Sequence, residues 1–144
     1  MSSAHEARFR IDAPNSRPRQ IAVIAIDAAS EPWLRELQGV GLTHAHFFDG
    51  AELAADRLRL VDAIGGCDVV VMLATAGSDQ GAVGVIGEEC SRRRVSTTGL
   101  LYCPRGLTDD AVAASLRRMR PWMLMLVLAS ATGYAEDVLR SLRG

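Results

Sequence analysis

The stretch that decides the fold is DVVVMLATAGSDQGAVGVIGEEC, residues 68–90. An apolar, β-branched run comes first, a turn of small residues follows, and the last part carries glycines at positions 81, 84 and 87. This pattern predicts a buried strand, a tight loop and a helix packed closely on the strand. In α/β proteins such a unit presents backbone N–H groups at the carboxyl edge of a sheet, where anions and nucleotides bind. The stretch therefore predicts both the fold class and the position of a ligand.

The same alternation of apolar strands and helical segments runs through the rest of the chain. We predict strands at residues 20–26, 43–48, 69–73, 96–102 and 122–128, and helices at 32–40, 51–64, 80–94, 108–118 and 132–142. Continuous apolar strands between helices indicate a parallel sheet that is covered on both faces. Right-handed crossovers then give a three-layer α/β/α doubly wound sheet of five parallel strands, Rossmann- or flavodoxin-like, in the order 2-1-3-4-5.

The composition is that of a globular protein and excludes several reaction mechanisms. The chain has 144 residues, of which 49% are apolar and 23% charged, and its formal net charge of −1 favours neither nucleic acid nor a membrane as a partner. We predict a flexible arm at residues 1–18 and a single α/β domain at residues 19–144. Every basic residue is arginine, which excludes mechanisms that need a P-loop, Schiff-base or receiver-domain lysine.

Cysteine usage and hydropathy predict a cytoplasmic protein. The three cysteines are widely spaced and form no CxxC pair, which is typical of a reduced compartment. The first 20 residues lack the apolar core of a signal peptide. The longest strongly apolar run, residues 122–131, is about half the length that a membrane helix needs.

The strand order places a ligand at the switch point between the first and third strands. The loops at residues 27–31 and 74–80 face each other there, and we predict that they hold a small anionic, phosphate- or nucleotide-like ligand. The candidate ligand-binding residues come from these two loops, from the Asp-Gly pair after the second strand and from the loop after the fourth strand: Asp27, Ser30, Asp49, Thr75, Gly77, Ser78, Asp79, Gln80, Gly81 and Arg105. No particular cofactor is indicated. A capped βα turn with Ser78 or Asp79 at the N-cap is the alternative interpretation of the central loop.

Specific residues disfavour three standard functions of this architecture. A dinucleotide site needs glycines after the first strand, and residues 27–32 contain none. A flavodoxin-like phosphate loop would be rich in serine, threonine and glycine. A receiver domain needs an aspartate at the end of the third strand, where Ala74 and Thr75 stand.

No residue pattern identifies a catalytic or metal centre. His44 and His46 lie two apart on one predicted strand, but no third ligand is evident, so we predict no metal site. Three functions stay open: a non-catalytic binding or regulatory domain; a small enzyme with Asp27, Asp79 or Cys103 as its reacting group; and an interaction module. The apolar fifth strand, which we place at the sheet edge, favours self-association, most simply as a homodimer.

Several segments resemble the nucleotide-binding half of the tubulin/FtsZ family. That family has a strand, a GGGTGTG-type phosphate loop opening a helix, and then a TVGVVTRPF-type strand, and here DVVVMLATAGSDQGAVGVIGEE precedes VSTTGLLYCPRG. IAVIAI and LRRMRPWMLMLVLAS resemble the family's first strand and its helix before a VDTLIVIPN-type strand, so the likeness covers residues 20–130. It implies a nucleotide-binding fold with degenerate phosphate loops. Because the first glycine loop is replaced by residues 27–30 and no second domain is present, it implies neither GTP hydrolysis nor filament formation.

Overall fold

Five parallel strands form a single sheet in the computed structural model, which describes residues 19–129 and 134–143. The strands are β1 (Ile21–Ala25), β2 (Ala45–Asp49), β3 (Val69–Thr75), β4 (Ser96–Tyr102) and β5 (Met125–Ala129). Their order is β2-β1-β3-β4-β5 and each neighbouring pair is parallel. The predicted flavodoxin-like sheet is therefore confirmed, with β2 and β5 at its edges. The predicted arm at residues 1–18 lies outside the described residues.

Helices cover both faces of the sheet. They are α1 (Glu31–Gly39), α2 (Gly50–Ala55), α3 (Arg57–Gly65), α4 (Ala82–Arg93), α5 (Asp109–Met119) and α6 (Tyr134–Arg143). One core contains buried residues of α2, α3, α4 and α5, and the other contains those of α1 and α6. Every residue of β1 and β3 is buried, as expected for central strands of a parallel sheet. Among the described residues, no helix is both long and apolar enough to cross a membrane.

The single helix predicted at residues 51–64 is wrong, because Asp56 divides it. The backbone of Asp56 is extended (φ −133°, ψ 102°), so it ends α2 and begins α3. Its Oδ1 accepts hydrogen bonds from the N–H groups of Leu58 and Arg59, at 3.1 and 3.3 Å. The new helix faces the core differently from the prediction, since Leu58 is 82% exposed while Leu60 is buried.

The start of the fifth strand also differs from the prediction. Residues 120–122 form a 3-10 turn, and β5 begins only at Met125. The carbonyl of Trp122 accepts a hydrogen bond from Thr97 Oγ1 at 2.6 Å, which fixes the turn against β4. The apolar pattern of WMLMLVL does not distinguish the turn residue Trp122, or Met123 and Leu124 after it, from the residues of the strand.

Glu89 joins α4 to its own last turn and to α3. Its side chain is buried, and its carboxylate oxygens lie 2.8 Å from Arg93 Nε, 3.3 Å from Arg92 Nη1 and 3.5 Å from Arg57 Nη2. The hydrogen bond from Arg93 is the main cause of a lowered pKa for Glu89; burial opposes this effect and the charges of Arg92 and Arg57 add to it. The carboxylate therefore stabilises the fold only while it is ionised.

We expect Glu89→Gln to be more destabilising at pH 7 than near pH 3. Because the pKa of Glu89 is lower in the native state than in the unfolded chain, its stabilisation is complete above the unfolded pKa of about 4.3 and is lost as the pH falls through the native pKa. Urea unfolding of both proteins at the two pH values measures this. Glu36→Gln is the control, since Glu36 is exposed and has no ion pair among the described residues. A Glu89→Gln penalty of equal size at both pH values would contradict the prediction.

Candidate functional site

Asp27 connects the carboxyl ends of β1 and β3. It follows β1, its side chain is almost completely buried, and its two carboxylate oxygens have different partners. Oδ1 accepts from the N–H of Ser30 at 2.8 Å and Oδ2 accepts from the N–H of Thr75 at 2.9 Å. The loops at residues 27–31 and 74–80 therefore meet as predicted. In this structure Asp27 braces two backbone segments.

The hydroxyl groups of Ser30 and Thr75 complete this cluster. Ser30 Oγ and Thr75 Oγ1 are 2.9 Å apart, and both residues are buried. Ser30 occupies the N-cap position of α1 but makes no side-chain capping bond there. Thr75 occupies the end of β3, the position at which a receiver domain needs an aspartate. The hydroxyl of Thr75 is held by Ser30, so this position offers a hydrogen-bonded alcohol in place of a carboxylate.

The loop between β3 and α4 uses many of its backbone N–H groups internally. The N–H of Ala76 donates to the carbonyl of Tyr102 at 2.8 Å, and that of Gly77 to Ser115 Oγ at 3.1 Å. The N–H of Ser78 donates back to the carbonyl of Thr75 at 3.1 Å, which closes a turn with Gly77 at φ +85°. A positive φ suits glycine at this point of a turn. The loop is therefore a well-bonded turn, and a ligand would meet few of its donors.

The first turn of α4 differs from the predicted cap. The N-cap residue is Gly81, and its N–H donates to Asp79 Oδ1 at 2.9 Å. Neither Ser78 nor Asp79 is at the N-cap itself. Gln80 is buried, and its Nε2 donates to the carbonyl of Thr75 at 3.2 Å. Gln80 Oε1 is buried without a hydrogen-bond partner among the described residues, so it is an acceptor available to a water molecule or to a ligand donor.

Asp49 and Arg105 lie at the same edge of the sheet. Asp49 ends β2 and caps α2, with its Oδ1 2.8 Å from the N–H of Ala51. Arg105 lies in the loop between β4 and α5, is exposed, and has no ion pair among the described residues. Its loop lies next to the β3–α4 loop, since a Cβ added at Gly77 would lie 3.3 Å from Cδ2 of Leu107 in the same loop as Arg105. Arg105 is therefore a cation available to an anionic ligand at this edge.

The sequence did not single out Ser115, which comes from the buried face of α5 and accepts from Gly77. Its only signal is a serine among alanines and apolar residues on a helix, which many helices carry.

The sequence also did not single out Gln20, whose side chain contacts His44 and His46 at the opposite edge of the sheet. Its Nε2 lies 3.0 Å from His44 Nδ1 and its Oε1 lies 3.2 Å from His46 Nε2. Within the described part of the chain, no group of three or more potential ligands could hold a metal ion.

The reactive groups considered for an enzyme are engaged or suppressed. Both oxygens of Asp27 accept backbone hydrogen bonds, and Asp79 accepts from Gly81. Burial raises the pKa of the Cys103 thiol, which lowers its thiolate fraction at neutral pH. The same physical cause raises the pKa of Cys90 to about 12. These environments do not activate a nucleophile.

No protein-family model matches the sequence, and no curated protein matches it. Among solved structures, the fold is similar to the signal receiver domain of NarL from Mycobacterium tuberculosis. The sequences are 17% identical, the TM-score is 0.48, and the match covers 88% of this chain and 98% of that chain. At this identity and TM-score, the likeness carries no information about function.

The predicted resemblance to the tubulin/FtsZ family is wrong. No protein-family model, of that family or any other, matches the chain, and the solved structure reported above is titled a signal receiver domain. The loop geometry gives the physical reason, because a phosphate loop must present free N–H groups to its ligand. Here the N–H groups of Thr75, Gly77 and Gly81 are bonded to Asp27, Ser115 and Asp79. Small residues in a βα turn produced the sequence likeness.

Proposed function

We propose that the protein is a non-catalytic regulatory or binding domain that holds a small anionic ligand at the carboxyl edge of its sheet. The observation that carries the proposal is the burial and hydrogen bonding of the cluster formed by Asp27, Ser30 and Thr75. Each of these groups is buried and already hydrogen bonded within the protein. Such a cluster holds two loops in a fixed position and leaves none of these groups free to attack a substrate.

Two features support an anionic ligand at this edge. α4 has 12 residues and begins at the carboxyl edge of the sheet, where the N–H of its N-cap residue Gly81 donates to Asp79 Oδ1. A helix N-terminus favours negative charge. Arg105 supplies a guanidinium on the neighbouring loop that no described residue pairs with, and guanidinium groups bind phosphate in a bidentate way. Gln80 Oε1 adds a buried acceptor for a hydroxyl or N–H of the same ligand. A phosphate-bearing compound that also carries hydroxyl groups fits this combination.

The test is a thermal-shift series with nucleotides, dinucleotides, flavins, coenzyme A and inorganic phosphate. We expect one class to raise Tm in a concentration-dependent way, because a ligand that binds only the native state stabilises it. Arg105→Gln should remove that shift, while Arg35→Gln should keep it. Arg35 is the matched control, because it lies on α1 and is exposed. No shift with any of these compounds would overturn the proposal.

A second candidate function, self-association, is favoured by the exposed edge of the sheet. β5 is the last strand of the sheet, and its exposed side chains include Met125 at 42% and Leu128 at 52%. An unpaired apolar edge strand is a template for pairing with another strand. We propose that two copies pair their β5 strands in an antiparallel arrangement, since this makes the contact identical on both copies.

Light scattering over a range of protein concentrations tests the dimer. We expect a dimer mass for the natural protein and a monomer mass for Leu128→Arg. Leu58→Arg is the control, because Leu58 is 82% exposed on α3, remote from β5. A monomer mass for the natural protein at high concentration would exclude this candidate, as would an unchanged dimer in Leu128→Arg.

A further inference from the structure

A groove of about 370 Å³ lies at the amino edge of the sheet, opposite the candidate ligand site. It is bounded by the end of α4, the start of β4 and the segment from Pro121 to Leu124. We call it the amino-edge groove; Arg94, Ser96, Trp122 and Leu124 are among its lining residues. Its position separates it from the carboxyl-edge residues discussed above.

The amino-edge groove has an exposed apolar rim. Leu124 is 79% exposed, and Trp122 and Met123 beside it are only partly buried. Gly87 of α4 makes the position of Trp122 possible, because a Cβ at residue 87 would lie 2.7 Å from Trp122 Cβ. Contiguous exposed apolar patches mark interaction sites, whereas single surface leucines do not.

Two arginines beside this groove have no ion pair among the described residues. In the last turn of α4, Arg92 and Arg93 form ion pairs with Glu88 and Glu89. Arg94 comes next, lines the groove, and has no ion pair among the described residues. Arg120, directly before Pro121, likewise has none in the described ranges, and no described lining residue is acidic. An incoming carboxylate would therefore meet free guanidinium groups.

The backbone of Arg94 adds an independent observation. Arg94 ends α4 in the left-handed region, with φ +57° and ψ 38°. Glycine adopts this conformation without steric cost and is the usual residue after a helix. The chain carries an arginine here in spite of the strain. A requirement for the arginine side chain at this position would account for that choice.

We propose that the amino-edge groove docks an acidic segment of a partner protein. An apolar side chain of that segment packs on Trp122 and Leu124, and its carboxylates pair with Arg94 and Arg120. Guanidinium groups recognise carboxylates through paired hydrogen bonds, and clusters of arginine are a recurrent means of binding acidic peptides. Because the net charge of the whole protein is −1, the attraction is limited to the short range of these arginines, which suits a short acidic segment better than a long polyanion such as nucleic acid.

The test follows the indole N–H signals of the two tryptophans in the ¹⁵N-labelled full chain. The probe is the capped peptide Ac-EELEELEE-NH2, and its Glu-to-Gln counterpart is the matched control peptide. We expect a saturable shift of the Trp122 signal with the acidic peptide alone. The Trp33 signal should stay constant, because Trp33 is buried on the other face of the sheet.

Variants separate a docking role from a structural one. Arg94→Gly with Arg120→Gln should weaken binding by about tenfold or more. Arg94→Gly alone should raise Tm, because glycine adopts this backbone conformation without strain. The raised Tm would also show that the variant folds. Arg35→Gln with Arg140→Gln removes the same number of charges elsewhere and should leave the affinity unchanged.

Several outcomes would overturn the proposal. One is equal binding of the Gln peptide, and another is an equal loss of affinity in the Arg35/Arg140 control. A third is tighter binding of a single-stranded oligonucleotide through Arg94 and Arg120, and a fourth is a Trp122 shift produced by self-association without peptide. A Trp122 signal that does not move at about 1 mM peptide would also overturn it.

Discussion

Asp27→Ala should lower the free energy of unfolding by about 3 kcal/mol, which would be among the largest effects of any single substitution at the carboxyl edge. The carboxylate accepts from the N–H of Ser30 at 2.8 Å and from that of Thr75 at 2.9 Å. Both donors are buried, and a buried donor that loses its partner costs about 1–3 kcal/mol. Urea unfolding monitored by circular dichroism measures the change.

Two further variants identify the cause of that loss. Asp27→Asn keeps the shape but presents an NH2 group to one of the two donors, so it should recover only part of the stability. Asp62→Ala removes an exposed aspartate and should change the free energy of unfolding by no more than about 0.5 kcal/mol. If Asp27→Ala were as mild as Asp62→Ala, the bracing role of Asp27 would be refuted, and with it the main argument against Asp27 as a catalytic acid.

The fold could be predicted from the sequence because its information is local and periodic. Apolar runs such as residues 69–73 alternate with helical segments, and this alternation leaves few topologies once crossovers are right-handed. The strand order and the meeting of the two switch-point loops follow from that argument. The division of α2 from α3 at Asp56 does not, because the buried residues Leu53, Leu60 and Ile64 keep a helical period across it.

The chemistry of the loop could not be predicted in the same way. Residues 75–81 have the composition of an anion-binding turn, and composition says only that N–H groups are present. Whether they are free depends on distant side chains. Asp27 lies 48 residues before Thr75, and Ser115 lies 38 residues after Gly77. Both side chains accept hydrogen bonds from loop N–H groups that would otherwise be free to bind a ligand. A single sequence carries no sign of such pairings.

The tubulin/FtsZ resemblance failed for a related reason. Gly77 and Gly81 match a phosphate loop by spacing, yet Gly77 adopts a positive φ in a turn, while Gly81 has ordinary right-handed helical dihedrals at the start of α4. Glycines have several structural uses, so their spacing alone does not identify a ligand. The contacts around each glycine distinguish these uses, and they differ within this chain.

Gly50→Ala should destabilise the protein by about 2 kcal/mol, because the added methyl group would meet backbone. A Cβ at residue 50 would lie 2.7 Å from the carbonyl oxygen of Ala25 and 3.1 Å from the Cα of Ile26. These atoms belong to the end of β1 and the residue that follows it, directly before Asp27, and they cannot move without disturbing the sheet. Overpacking of this kind costs about 1–3 kcal/mol. Unfolding in urea gives the change, and a lower Tm should accompany it.

Two other glycines provide matched controls for this prediction. Gly39→Ala adds a methyl group with no atom within 4 Å and should be neutral or stabilise α1 by up to about 1 kcal/mol. At Gly99 the nearest atoms, at 2.8–3.0 Å, are the ends of the Leu126, Met119 and Met123 side chains, which can rotate away. Gly99→Ala should therefore cost less than Gly50→Ala. If Gly99→Ala cost more stability than Gly50→Ala, the close contact of α2 with the end of β1 would not be what holds the Asp27 loop in place. The rigidity that we assign to the carboxyl edge would then have to come from its hydrogen bonds alone.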